Sequence, residues 1–119
     1  MKLYESGENY LETILLIAQR KGSVRSIDIA GELQYTKPSV SRAMAILKKA
    51  GYIVMDENGL ISLTDSGRET AGHIYERHRI LKEYLVSLGV DEAIASEDAC
   101  RIEHVISQQT FEKIKKQVD

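Results

Sequence analysis

From Ser26 to Leu63 the chain spells helix, tight turn, helix and then hairpin, and few folds accommodate that order. Ser26 reads as a helix cap, with Asp28 in the first turn and Ile27, Ile29, Ala30 and Leu33 as the inward side. The next helix starts near Thr36 or Lys37, with Pro38 in its first turn, where a missing N–H does no harm. Steps of about 100° per residue gather Val40, Ala43, Met44 and Leu47 on one side of it. Arg42, Ala45 and Lys49 fall with Pro38 on the other, flanked by Ser39 and Ile46. Gly51 ends the helix. Residues 52–55 and 60–63 are short strand-like runs, with Asn58-Gly59 at the turn between them. The pattern predicts a winged helix-turn-helix.

Charge gives that unit a direction. Between Leu33 and Met55 stand four bases, Lys37, Arg42, Lys48 and Lys49, and none of the chain's 18 Asp and Glu residues. The whole chain is net −2, so the remainder is more acidic still. An acidic protein that concentrates positive charge on one segment is suited to meet a polyanion there. Small and hydroxylic residues between the bases permit close approach to phosphates and base edges. The expected DNA contacts are Thr36, Lys37, Ser39, Ser41, Arg42 and Lys49, with Arg42 best suited to read a base. A merely solvated helix face is the alternative reading of the same charges.

The rest of the chain reads as helix. Tyr10, Leu11, Ile14, Leu15, Ile17 and Ala18 form an apolar face that stops at Arg20-Lys21-Gly22. Thr64 caps a long helix running to Gly89, with Ala71, Ile74, His78, Leu81, Leu85 and Leu88 as a packing seam. Short helices are expected near 91–95, from a Ser96 cap to about 106, and from Ser107 into an amphipathic stretch ending at Val118. The expected architecture is therefore mainly α. It comprises a winged helix-turn-helix DNA-binding domain over residues 1–70 and a helical domain over 71–119, which has no part in a minimal DNA-binding unit and is expected to make a dimer interface and carry a further function.

Composition excludes other classes. No apolar run approaches the roughly 18 residues of a membrane span, and the N-terminus lacks the charged-then-apolar pattern of a signal sequence. One cysteine cannot form an intrachain disulfide, which points to a reducing cytoplasm. No nucleophile–base pair suggests an enzyme. Glu103-His104 lacks the second histidine, four residues away, that a zinc-protease helix requires.

Cys100, Glu103 and His104 carry a second chemistry. At i, i+3 and i+4 on one helix, their side chains fall within an arc of about 100°. Thiolate, carboxylate and imidazole together are ligand types for a transition metal. Asn9 and Glu12, at i and i+3 on the first helix, offer oxygen donors, and His78 offers a nitrogen. Each residue alone has a plainer reading. A single cysteine is usually a small buried hydrophobe, and a histidine in an apolar seam is usually a hydrogen-bonded core residue. His73, off the seam, reads as surface.

Taken together, these motifs resemble the diphtheria-toxin-repressor and manganese-transport-regulator family of metal-dependent transcriptional repressors. The carriers are Glu8-Asn-Tyr-Leu-Glu-Thr13, Ile29-Ala30, Thr36-Lys-Pro-Ser-Val-Ser-Arg42, Leu63-Thr-Asp-Ser-Gly67, Arg77-His-Arg79 and Asp98-Ala-Cys-Arg-Ile-Glu-His104. The resemblance covers essentially the whole chain and is to the short form without the SH3-like third domain. It implies that Cys100, Glu103 and His104 are ligands of the regulatory metal. Asn9 occupies a place held by Met in iron-type and Asp in manganese-type members. Glu12 matches a manganese-type carboxylate ligand, and His78 a ligand of both branches. Lys82 and Ser96 depart from the iron-type pattern, which has Glu and His there, so the ancillary site is missing or rebuilt.

The resemblance further implies a homodimer that binds a palindromic operator in double-stranded DNA when a divalent ion is bound. No membrane and no small organic substrate is expected as a partner. The ion would join the helix of Asn9 and Glu12 to the Cys-Glu-His helix and so fix the spacing of two recognition helices. The thiolate favours Fe²⁺, and Glu12 with the short architecture places Mn²⁺ second. A winged-helix regulator that has lost metal sensing is the alternative.

Overall fold

The computed structural model describes the backbone of residues 5–118 and the side chains of residues 7–118. The elements run α1 (Glu5–Lys21), α2 (Ser26–Leu33), α3 (Lys37–Lys49), β1 (Ile53–Met55), β2 (Ile61–Leu63), α4 (Asp65–Ser87), α5 (Glu92–Ile102) and α6 (Gln108–Val118). The chain forms two compact units, Met1–Gly72 and His73–Asp119. No described helix is long and apolar enough to cross a membrane.

The first unit closes around Leu11, Ile14, Ile17, Ile29, Val40, Met44, Leu47 and Ile53. These are the residues that helical spacing turns inward from α1, α2 and α3, joined by the first residue of the wing. Ile27 is a correction: it is 57% exposed. Two residues advance a helix by about 200°, so Ile27 and Ile29 cannot share a face. The cap of α2 also differs from the Ser26 expected. Ser26 is already helical, and Arg25 stands before it with its N–H donating to Asp28 Oδ2 at 2.9 Å. Lys21 Nζ lies 2.6 Å from Asp28 Oδ1. That bond, and then the Arg25 N–H, hold the Asp28 carboxyl below the usual carboxylate range.

The turn into α3 passes through Gln34, which adopts the left-handed conformation at φ 58° and closes α2. Thr36 then caps α3, its hydroxyl oxygen accepting from the Ser39 N–H at 3.3 Å. Beyond α3 the strands pair antiparallel, Ile53 with Leu63 and Met55 with Ile61. Their turn is not the two-residue Asn-Gly type. Asp56 organises it: Oδ1 accepts from the N–H groups of Asn58 and Leu60 at 2.8 and 2.9 Å, and its carbonyl accepts from Gly59. Gly59 supplies the left-handed residue, at φ 80°, that a three-residue loop requires.

Thr64 joins the wing to α4, as expected. Its hydroxyl accepts from the Gly67 N–H at 3.1 Å and donates to the Gly51 carbonyl at 2.7 Å. Gly67 sits so close to the wing that a Cβ there would lie 2.1 Å from the Tyr52 carbonyl oxygen.

The second unit is built on Ile80, Leu81, Ala99 and Phe111, backed by Ile102, Ile106, Ile114 and Val118. Two expectations fail in it. The break at Ser96 is absent, and α5 runs from Glu92 to Ile102 without interruption. The flanking alanines are strong helix formers, and Ala95 and Ala99 both bury one turn apart, which outweighs the capping preference of Ser96. The α4 seam also loses its last member. The helix ends at Ser87, leaving Leu88 63% exposed, while Ile80 is fully buried.

Candidate metal centre and nucleic-acid interface

Two segments of the second unit, α4 and the end of α5, converge on one point. His78 comes from α4, Cys100 from α5 and Glu103 from the residue that caps α5. His78 Nδ1 lies 2.9 Å from Glu103 Oε2 and 3.7 Å from Cys100 Sγ. One ligand atom from each of the three lies within 4.8 Å of the others. His104 adds a contact of 3.3 Å between its Nε2 and Glu103 Oε1. The three residues expected on one helix are thus placed differently: Cys100 is inside α5, Glu103 caps it and His104 lies in the turn beyond. Glu103 keeps right-handed dihedrals (φ −57°, ψ −27°), so the cluster survives the end of the helix.

The Glu103 carboxylate is fully buried, and the His104 and His78 side chains are 4% and 21% exposed. Cys100 is exposed. Beside them the His78 imidazole is pushed up to about 10, mainly by its bond with Cys100 and then by Glu103, with burial opposing. His78 is therefore an imidazolium at neutral pH, and its proton sits where sulfur and oxygen donors meet. Sulfur, nitrogen and oxygen converging on a position that already holds a positive charge fit a divalent transition metal.

Asn9 and Glu12 belong to α1 of the first unit, half-buried and buried respectively. Lys82, standing where a carboxylate was the family pattern, has its ammonium 3.3 Å from Glu92. Ser96 is half-buried on α5, and His73 is exposed, as read from its place off the seam.

On α3 and its cap the residues expected to meet DNA all reach the surface. Thr36, Lys37, Ser41, Arg42 and Lys49 are exposed and Ser39 is half-buried. The Thr36 hydroxyl donates to Ser39 Oγ at 2.8 Å, and Arg42 Nη2 reaches the same oxygen at 3.4 Å. The ladder starts at the helix N-terminus, where the backbone dipole also favours an anion. Lys48 is exposed as well, so the bases of the acid-free segment all reach solvent.

The contacts of two arginines escaped the sequence reading. The Arg25 guanidinium donates to the Asn58 carbonyl and holds the tip of the wing. Arg77 contacts residues 26 to 34 positions away. No local spacing signals either contact, because each depends on the tertiary fold.

Comparison with known proteins places both parts of the chain in one family. Residues 2–60 match the N-terminal DNA-binding domain of iron-dependent repressors, and residues 64–119 match their metal-binding and dimerisation domain. The chain is 34% identical over 113 residues to an uncharacterised HTH-type transcriptional regulator of Methanocaldococcus jannaschii, covering 93% of this chain and 90% of that one. It is 33% identical over 109 residues to the HTH-type transcriptional regulator MntR of Lysinibacillus sphaericus, covering 92% and 78%. Among solved structures, a manganese-dependent transcriptional repressor in complex with manganese aligns at a TM-score of 0.85 and 27% identity, over 94% of this chain. IdeR of T. acidophilum aligns at 0.81 and 26%, over 98%. The chain spans about half the length of those two, 52% and 55%. It belongs to the iron-dependent-repressor family of metal-dependent transcriptional regulators, which are not enzymes.

Proposed function

We propose that this protein is a metal-activated repressor that binds a palindromic operator as a homodimer. The observation that carries the reading is the meeting of His78 Nδ1 from α4 with Cys100 Sγ and Glu103 Oε2 from the end of α5. Cys100, Glu103, His104 and His78 are the metal ligands proposed for the second unit. Asn9 and Glu12 are further oxygen donors on the strength of the family pattern. A divalent ion would supply a fixed double charge in place of the His78 proton. The exposed thiol supports Fe²⁺ as the favoured ion. Mn²⁺ is second, supported by Glu12 and by relatives named as manganese regulators.

On the DNA side, Lys37 and Lys49 neutralise phosphates, and Thr36, Ser39 and Ser41 donate to phosphate oxygens. Arg42 reads a base edge through its guanidinium fork. Two copies of α3 in a symmetric dimer give the palindrome.

Anaerobic selection of duplexes from a random pool tests the reading. Fe²⁺ or Mn²⁺ should be needed to enrich a near-palindrome, and Arg42→Ala should abolish enrichment. The His78–Glu103 pair, already hydrogen-bonded, favours one competing reading: a winged-helix regulator that has lost metal sensing. Equal enrichment without metal would establish that reading instead.

A further inference from the structure

Arg77 stands one residue before His78 on α4, half-buried, and its guanidinium is wholly taken up by tertiary contacts. Its Nη1 donates to the carbonyl oxygens of Glu103 and Ile106 at 3.1 and 3.0 Å. Nη2 donates to Gln108 Oε1 at 2.8 Å, and Cζ lies 5.5 Å from the centre of the Phe111 ring. From these contacts we propose that Arg77 is a positioning residue for the metal ligands Glu103 and His104. It pins the turn that carries them. The inference rests on the metal-site reading above.

The turn after α5 is where helix carbonyls run out of intrahelical partners, and where the helix dipole is negative. A planar cation answers both needs at once. Its Nη1 bridges the carbonyls of residues 103 and 106, three positions apart, its Nη2 takes the Gln108 amide oxygen, and the face of the guanidinium meets Phe111. Adjacent residues of α4 therefore grip Glu103 by different handles. His78 holds its carboxylate, and Arg77 holds its backbone carbonyl. The His78-to-Glu103 separation is thereby set before any ion arrives, which is how outer partners raise the affinity of a ligand set. A lysine offers a point charge on a flexible stem and cannot hold the two carbonyls, Gln108 Oε1 and the Phe111 face together.

Titration of the full chain with Co²⁺ separates this role from ordinary structural support. The readouts are the thiolate-to-cobalt charge-transfer band and, independently, thermal unfolding of the metal-free protein. Wild type should bind Co²⁺ and show the band. If it binds none, the metal-site reading itself fails, and the proposal falls with it. Arg77→Lys should lose about ten- to a hundredfold in affinity, with a shifted or weakened band. A lower unfolding temperature with wild-type affinity and spectrum would overturn the proposal, because that is what a structural prop alone would do. Gln108→Ala removes one of the Arg77 contacts outside the ligand turn, and should cost several-fold in affinity while the chain stays folded. If Arg77→Lys does not fold, Gln108→Ala decides, and wild-type affinity there overturns the proposal.

Discussion

Glu103 is a carboxylate with no exposed surface, and such a group is costly unless a cation or strong donor meets it. His78 Nδ1 hydrogen-bonds one of its oxygens at 2.9 Å, and His104 Nε2 stands 3.3 Å from the other. The pairing has a consequence for the metal-free protein. Unfolded, His78 titrates near 6.5; folded, it is held up to about 10, by Cys100 first and then by Glu103. Its contribution to stability is complete below pH 6.5 and is lost as the pH rises towards about 10. Urea midpoints of the metal-free wild type should therefore fall across that window relative to those of His78→Gln. Parallel profiles for the two proteins would contradict the assignment. These side chains were legible from residue type and from the spacing of Cys100, Glu103 and His104. Arg77 was not, since its acceptors are carbonyls and an amide brought near only by folding.

Among the elements, the α3-to-α4 passage depends on a close approach that no propensity scale records. Gly67 is in the first turn of a helix, where a side chain is normally harmless, yet here the Tyr52 carbonyl fills the space. Gly67→Ala should destabilise the protein by about 1–3 kcal/mol in urea unfolding. Gly31, inside α2, has nothing within 4 Å of a would-be Cβ, and Gly31→Ala should stabilise by up to about 1 kcal/mol. Equal effects at the two glycines would show that helix propensity, not the wing contact, governs position 67. The order of helices and strands could be read in advance because their apolar spacing and caps are local. Boundaries were harder. Ser96 and Ser26 both have the chemistry of a cap, but burial of Ala95 and Ala99 carried α5 through the first. Asp28, reaching back to the Arg25 N–H, moved the start of α2 at the second.

In the molecule as a whole, the two chemistries reside in different units. The cationic strip of α3 is in the first, and the His78, Cys100 and Glu103 cluster is in the second. Both were foreseeable, one from an absence of acids and the other from a concentration of ligand types. Their relation as effector site and output is the central claim, and coupling of this kind is worth about 1–3 kcal/mol, roughly five- to a hundredfold in affinity. The most direct test is anaerobic fluorescence anisotropy of a labelled selected duplex with the full chain, titrated with Fe²⁺. Wild type should tighten its grip within that range, while Cys100→Ala and Glu103→Ala remain folded and stay at the metal-free affinity. An affinity that does not change with metal, or variants that respond as wild type does, would contradict the account.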